Sequence, residues 1–498
     1  MFNREDRLSF TTETEFDVAI IGGGINGSCL YNQLCREGFK VLLLDKGDFG
    51  CGTSQASAMM IWGGLLYLRN LEFLSVYMFS RDRDFLIRDL KDWVLPCQFR
   101  YIPSTNGGRN KYFVKLGLYL YWLLGLFNRK RPVSQNIFEE IFLLKEHLHN
   151  SSLLYEEAFL NYSDSRFLLH WITSQSITDN VALNYCRLDS VKFNNKEKLW
   201  HLNLTDRFNN KEVTTRSKLI INCAGVWTDK VNELANIKTP YKHVFGKGVF
   251  ISFKRSSRLN LPMIFETGYQ GDVMSLIPWG PVALWGPTDE ISDSITEGYS
   301  VKKDDIVFLL NHANKNLNKN FNESDVISIR TGIRPLAVKN AFNRNFTSLD
   351  ISRFFKIFED KESPWISVYG GKMTSCISMA KRISTLVFKF TSPSLHSKKV
   401  QKPAQEEIDL VSFEGLSQKV PSVKWCIRNE FCCTLEDYLR RRTNISQWIP
   451  REGLGFNNEK LPLLREIAVE LSGNNERGLE DLKHYQEKVV KNFDRVLN

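Results

Sequence analysis

The sequence predicts an α/β fold that opens on a Rossmann-like dinucleotide-binding unit, and three features near its start carry that prediction. An apolar, β-branched run, "FDVAII" at 16–21, has the length of a buried strand. It flows directly into "GGGING", which reads as G-x-G-x-x-G with Gly22, Gly24 and Gly27. A helix-like "SCLYNQLCREG" and a second apolar run, "KVLLLD", then bring the chain to Asp45, 21 residues beyond Gly24. Together they make a βαβ unit with an acid in register.

Each part has a physical task. Gly22 permits the tight turn, Gly24 lets backbone approach a pyrophosphate, and Gly27 lets helix and strand pack closely. The helix start at Ile25 and Asn26 supplies amide donors and a favourable dipole. Asp45 is placed to accept hydrogen bonds from adenosine ribose hydroxyls and disfavours a 2′-phosphate; Lys46 follows it. The competing reading is a glycine turn in a cofactor-free α/β protein. FAD is favoured over NAD because the motif sits at the N-terminus and is followed by a Ser/Thr/Gly-rich loop, "KGDFGCGTSQAS". Thr53, Ser54 and Ser57 of that loop reach towards the flavin side. Far downstream, "KLIINCAGVWTDKV" is a strand running into a small-residue turn at Ala224 and Gly225, which returns the chain to the dinucleotide.

With 498 residues, 43% hydrophobic and 24% charged, the chain is folded and too long for one ordinary core. Two lobes, or one intertwined domain with an appendage, are expected. A net charge of +10 favours anionic partners, such as a phosphorylated substrate, a dinucleotide or an acidic membrane face; a basic surface kept for solubility explains it equally well. The basic residues are scattered without a binding motif, which argues against nucleic acid. Ten cysteines without a CxxC pair or metal spacing read as reduced thiols, with no metal site. "MFNREDRLSF" has no apolar secretory core. The longest apolar run, 114–127, contains Lys115 and is shorter than the roughly 20 residues that span a bilayer. It is either a buried helix or an amphipathic surface that touches a membrane, where the following "NRKRP" suits anionic headgroups.

Beyond the glycine motif, the sequence resembles the FAD-dependent glycerol-3-phosphate dehydrogenase family, within the D-amino-acid-oxidase-like flavoproteins. The resemblance rests on "IIGGGINGSCL", "LLLDKGDFGCGTSQAS", "WGGLLYL", "VKLGLYLYWLLG", "INCAGVWTD", "IPWGPVALWGPTDE", "RTGIRPLA", "ISVYGGKMTS" and "RNEFCCTLEDYLRRRT", in the family's order from about residue 16 to 445. It implies an FAD-binding α/β domain interleaved with a substrate domain on a mixed or antiparallel sheet over 1–395, and a small helical C-terminal cap over 400–498. The link from "GGK" to "RNEF" is short for the family, which implies a reduced cap. The closing stretch "SGNNERGLEDLKHYQEKVVKNFDRVLN" reads as a Gly/Asn turn and an amphipathic helix that packs on the cap.

The implied reaction is oxidation of sn-glycerol 3-phosphate, with hydride transfer from C2 to flavin N5 and onward delivery to quinone. The implied location is cytoplasmic, at the inner face of the cell membrane. Arg334 matches the family arginine near the reacting oxygen, Arg353 matches a second substrate-side arginine, and Lys372 a lysine beside flavin and substrate. Tyr67 is retained. Gly370, Gly371, Met373 and Thr374 join Lys372 around the cofactor. Arg330 reads as a solvated strand residue.

One segment departs from the family. Where the family carries lysine, histidine and arginine, this chain has Met59, Trp62 and Leu66. Tryptophan has no basic nitrogen and leucine cannot pair with a dianion. Trp62 is then a wall against a bulkier or less charged substrate, or a plug over the flavin. Three functions follow: an alcohol dehydrogenase for glycerol 3-phosphate or a related anionic polyol, an amine or amino-acid oxidase, and a flavin-binding scaffold that no longer catalyses.

Overall fold

After a short helix, α1 (Arg4–Glu13), strand β1 (Glu15–Ile21) enters the middle of a sheet and is buried in all but its first residue. The computed structural model describes residues 4–103, 110–135, 141–149, 152–174, 179–266, 273–292, 294–340, 351–395 and 407–497. Helix α2 (Ile25–Arg36) carries the chain from β1 to its parallel neighbour β2 (Val41–Leu44). The sheet runs Lys356–Glu359, Trp365–Tyr369, Lys211–Asn222, β1, β2, Val181–Leu183. Along that path every neighbouring pair is parallel except the outermost, Lys356–Glu359 against Trp365–Tyr369; Leu199–Asp206 adds antiparallel to Lys211–Asn222, and Cys186–Asn194 antiparallel to it. Along β1, Val18 and Ile20 feed one core while Ala19 and Ile21 feed another, the period-two alternation of a strand covered on both faces. Chain order reverses beside β1, so a crevice opens at its C-terminal end.

The second sheet has ten strands drawn from chain segments lying between those of the first, including β3 (Met60–Ile61) and β4 (Val94–Ile102). Its longest ladder pairs Tyr241–Lys254 with Ser328–Lys339, from Tyr241 opposite Lys339 to Ser252 opposite Ser328. The pairs are antiparallel apart from Met263–Glu266 beside β4, so the sheet is mixed. The fold is the predicted α/β one, with a Rossmann-like layer interleaved with a mixed sheet and followed by C-terminal helices.

Helices α3 (Phe73–Asp89) and α4 (Lys111–Leu124) lie near β3 and β4. The apolar run at 114–127 supplies most of α4, which buries Val114, Leu118 and Tyr121 at i, i+4 and i+7. Its other face leaves Phe113 and Leu116 63% and 67% exposed, so the run is a helix buried on one face and apolar on its exposed one. Among the described residues no helix is long and apolar enough to cross a membrane.

The C-terminal helices Leu461–Ser472 and Asn475–Val489 form a hairpin. Gly473, at φ +63°, ends the first, and the Asn474 side chain caps the second by accepting from the Arg477 amide at 3.1 Å. Leu464, Leu482 and Val489 share one core with Ile251 and Trp285 of the second sheet, so these helices are bonded to that sheet by apolar packing. The expected boundary between 395 and 400 runs into residues 396–406, which lie outside the described residues. All ten cysteines are free.

Candidate functional site

The glycine turn is built by close approach. A Cβ on Gly22, which has φ +107°, would lie 2.5 Å from the Cys223 carbonyl oxygen, and one on Gly27 would lie 1.9 Å from the Gly22 carbonyl oxygen. Gly24 is the N-cap of α2 and offers no side chain to its amides. The Ile25 amide donates to Ser54 Oγ at 3.0 Å, which ties the second loop to the helix start. Gly27 itself stays in the helix–strand contact and does not line the cavity.

At the end of β2, Asp45 accepts from the Gly23 amide at 2.8 Å and the Gly47 amide at 2.9 Å. Burial raises its carboxyl to about 6, against the pull of those amides. Both oxygens keep a second lone pair for ribose hydroxyls. Lys46 Nζ sits 3.8 Å from the centre of the Trp227 ring. Gly225, at φ +57°, has nothing within 4 Å of where a Cβ would be. Together these residues line a crevice of about 300 Å³ with Ile25, Asn26, Thr53, Ser54, Ala224, Gly370 and Gly371. Asn26 Nδ2 donates to the Gly370 carbonyl at 3.0 Å, while its buried Oδ1 has no partner among the described residues and is left as an acceptor. An open glycine wall, a helix N-terminus with no side chain at its cap, a ribose-ready carboxylate and a spare buried acceptor fit a dinucleotide.

A second cavity of about 280 Å³ adjoins it, sharing Ile25, Thr53, Ser54 and Gly371. Its wall holds Trp62, Tyr67, Arg334, Arg353 and Lys372, which the sequence assigned to catalysis, together with Ser57, Met373 and Thr374, which it assigned to the cofactor. Ser57 is committed elsewhere, its hydroxyl donating to Asp164 Oδ2 at 2.9 Å. Thr374 donates to the Trp62 carbonyl at 3.2 Å, holding the tryptophan segment against the glycine turn. Thr53 Oγ1 donates to the Ile333 carbonyl at 2.6 Å. Lys372 Nζ rests 4.6 Å from the Tyr67 ring centre and 4.4 Å from that of Phe79. Arg334 Nη1 donates to Asp289 Oδ1 at 2.6 Å, and Arg353 Nη2 lies 3.6 Å from Asp289 Oδ2. The Trp62 indole N–H is buried with no acceptor among the described residues.

Arg330 is a correction. It is 2% exposed rather than solvated, bonded to Asp164 and donating to the Ser57 carbonyl at 2.9 Å. Its guanidinium lies 3.9 Å from the sulfur of Met59, which is fully buried in the core. The family's lysine position therefore faces a buried arginine here, and a second cation there would be repelled.

Two cavity residues escaped the sequence reading, Arg69 and Asp289. Arg69 follows Leu66 by three residues in a 3₁₀ helix, Leu65–Asn70. Side chains at i and i+3 eclipse in that helix, so Arg69 stands on the face that Leu66 left without charge. The signal was in the spacing, but only for a 3₁₀ helix; an α-helical reading turns the two apart by about 60°. Asp289, in "GPTDE", needed the tertiary fold to meet its two arginines. The wall thus carries four cations, Arg69, Arg334, Arg353 and Lys372, against one carboxylate.

Comparisons with known proteins agree with this geometry. The model of the family described as "FAD dependent oxidoreductase" (DAO) matches residues 17–375. The chain is 26% identical over 399 residues to an aerobic glycerol-3-phosphate dehydrogenase of Staphylococcus aureus, covering 78% of this chain and 70% of that one. The glycerol-3-phosphate dehydrogenase of Bacillus halodurans, solved with FAD, superposes with a TM-score of 0.74 at 18% identity, over 99% of this chain and 98% of that chain. Glycine oxidase from Geobacillus kaustophilus shares the fold at a TM-score of 0.53 and 14% identity, covering 79% of this chain and all of that one. The family match spans most of the chain and contains both cavities, so the chain belongs to the FAD dependent oxidoreductase family, and FAD is its cofactor.

Proposed function

We propose that this oxidoreductase removes a hydride from the secondary alcohol of a small polyol phosphate, with sn-glycerol 3-phosphate as the reference substrate. The observation that carries the reading is the convergence of Arg69, Arg334, Arg353 and Lys372 on one cavity beside the cofactor crevice. Four cations converging on one wall favour a doubly charged anion, and a phosphate dianion is the matching group. A single carboxylate substrate, as an amino-acid oxidase would bind, leaves a larger excess. The relatives named for glycerol 3-phosphate support the same choice.

FAD, when bound, supplies the hydride acceptor. The chain's own residues do the rest. Arg69 and Arg353 hold the phosphate, and Asp289 fixes the Arg334 guanidinium towards the alcohol oxygen, where it stabilises developing negative charge. The Trp62 N–H donates to a substrate oxygen but takes no proton, so it replaces the polarising role of the family histidine and not the basic one. Asp289 is the wall group able to accept the hydroxyl proton. Electrons leave to a quinone at a membrane surface, at the cytoplasmic face of the cell membrane, which the exposed apolar side of α4 is suited to meet.

The test is an anaerobic titration of the holoenzyme with sn-glycerol 3-phosphate, following flavin absorbance. Bleaching of the oxidised band is expected, with Arg69→Leu raising the half-saturating concentration about 10- to 100-fold, as for loss of a charge-assisted contact. Flavin bleached only by amino acids would assign the chain to amine oxidation. Flavin unmoved by either class would make it a non-catalytic flavin-binding protein.

A further inference from the structure

A separate cavity of about 360 Å³ lies between the loop Cys51–Gln55 and the C-terminal helices, with Thr331, Arg440, Ser446 and Lys488 on its wall. Arg440 is unlike its neighbours in the chain. Arg441 and Arg442 both reach Asp48, and Arg451 reaches Asp494 at 2.7 Å. Arg440 donates from Nη2 to the Gln55 carbonyl at 3.1 Å, while its buried Nη1 has no partner, and among the described residues no carboxylate stands within ion-pair distance of it. A buried guanidinium without a direct ion pair is costly. Burial and the nearby Arg330 press its proton affinity down to about 9, and the fields of Glu452 and Asp164 offset this only in part.

The hydroxyls agree. Thr331 Oγ1 and Ser446 Oγ line the same cavity and are buried; among the described residues neither has a partner at hydrogen-bonding geometry, although the Tyr485 hydroxyl neighbours Ser446. The two carboxylates on the wall are already committed. Glu436 is paired with Arg441 at 3.2 Å and with Lys488. Glu452 accepts from the Ile329 amide at 3.2 Å and Gln447 Nε2 at 3.3 Å, and burial raises it to about 7 against the field of Arg440, which weakens it as a counter-charge. Buried polar atoms are satisfied as a rule, and two orphaned hydroxyls beside an orphaned guanidinium nitrogen describe the donor set of an oxyanion site.

We propose that this cavity binds a small oxyanion-bearing metabolite, a carboxylate or phosphate distinct from the substrate, with its charge on Arg440 and its oxygens on Thr331 and Ser446. Cys51 lines both this cavity and the cofactor crevice, and Gln55 belongs to the same loop as Thr53 and Ser54, so occupancy is transmitted to the cofactor cradle.

Calorimetric titration of the holoenzyme with inorganic phosphate, at ionic strength matched with chloride, tests the site. Substrate-cavity binding is identified as the heat that Arg69→Leu removes. A remaining binding event is expected, weakened at least tenfold in Arg440→Gln and in the double variant Thr331→Val/Ser446→Ala, with the Michaelis constant for the alcohol substrate unchanged. The double variant decides if Arg440→Gln fails to fold. Phosphate heat that disappears entirely with Arg69→Leu, or that survives undiminished in the cavity variants, overturns the proposal. Because the cavity variants leave the substrate wall intact, this outcome is independent of whether glycerol 3-phosphate is the substrate.

Discussion

Asp45 shows how one residue couples the cofactor to pH. Burial raises its carboxyl to about 6 in the folded chain, above the ordinary value near 4, so its ionisation costs folding stability progressively as pH rises from about 4 through 6. Ribose hydroxyls donate to the ionised form and pull the value back down. FAD therefore binds more tightly as pH rises through about 6, by at most about tenfold per unit, and the gain levels off above it. Titrating the apoprotein with FAD between pH 5 and 8 checks this; Asp45→Asn is expected to flatten the profile, and a wild-type affinity independent of pH would refute the role. Asp45 and the glycines were legible because a dinucleotide turn fixes residue types at fixed spacings. The substrate wall was legible only in part: Arg334, Arg353 and Lys372 sit in recognisable contexts, whereas Arg69 depends on a helix type, and the burial of Arg330 depends on Asp164, 166 residues away.

At the scale of elements, α4 is the piece whose surface asks for an explanation. Its buried stripe was readable from periodicity, but which polar-looking positions face solvent was not, because Phe113 and Leu116 are as apolar as the residues it buries. Leu71 and Leu74, at the approach to α3, are each 71% exposed, and α3 packs on α4, so the apolar area extends beyond one helix. Lys111, Lys115 and Lys130 lie in or beside the same helix, the mixture of apolar bodies and cations that lodges in an anionic lipid interface. Sedimentation with vesicles containing anionic lipid is expected to carry the wild type down and to leave Phe113→Asp/Leu116→Asp in the supernatant, with glycerol 3-phosphate bleaching of the flavin unaffected in solution. Equal sedimentation of both proteins would remove α4 from the membrane reading.

Across the whole molecule, the C-terminal helices contribute nothing to either wall: among the described residues, none beyond Thr374 lines the cofactor crevice or the substrate cavity. Their link to chemistry is Asp48, fully buried in the loop that follows Asp45. Arg441 Nε reaches Asp48 Oδ2 at 2.5 Å, and Arg442 bonds both of its oxygens at 2.6 and 2.9 Å. Arg441 also spans to Asp437 at 2.6 Å and to the Gln55 side chain at 2.9 Å, so one arginine pair closes the cap, the Asp48 turn and the cofactor loop into a single body. Burial alone would raise the Asp48 carboxyl, but the two guanidiniums outweigh it and hold it below the ordinary value. Its stabilising contribution is therefore complete above about pH 4 and lost as pH falls below that. Asp48→Asn leaves two buried guanidiniums facing a neutral amide, a loss of about 3–5 kcal/mol for a broken buried pair. Because the broken pair holds a loop and not a wall, the expected signature is a lower Tm and faster FAD dissociation, with little change in the Michaelis constant of the protein that still retains flavin. Following flavin fluorescence after dilution, beside a thermal melt at pH 7.5, reads both. An Asp48→Asn protein that melts and releases FAD like the wild type would mean that the cap is carried by its apolar contacts with the second sheet alone.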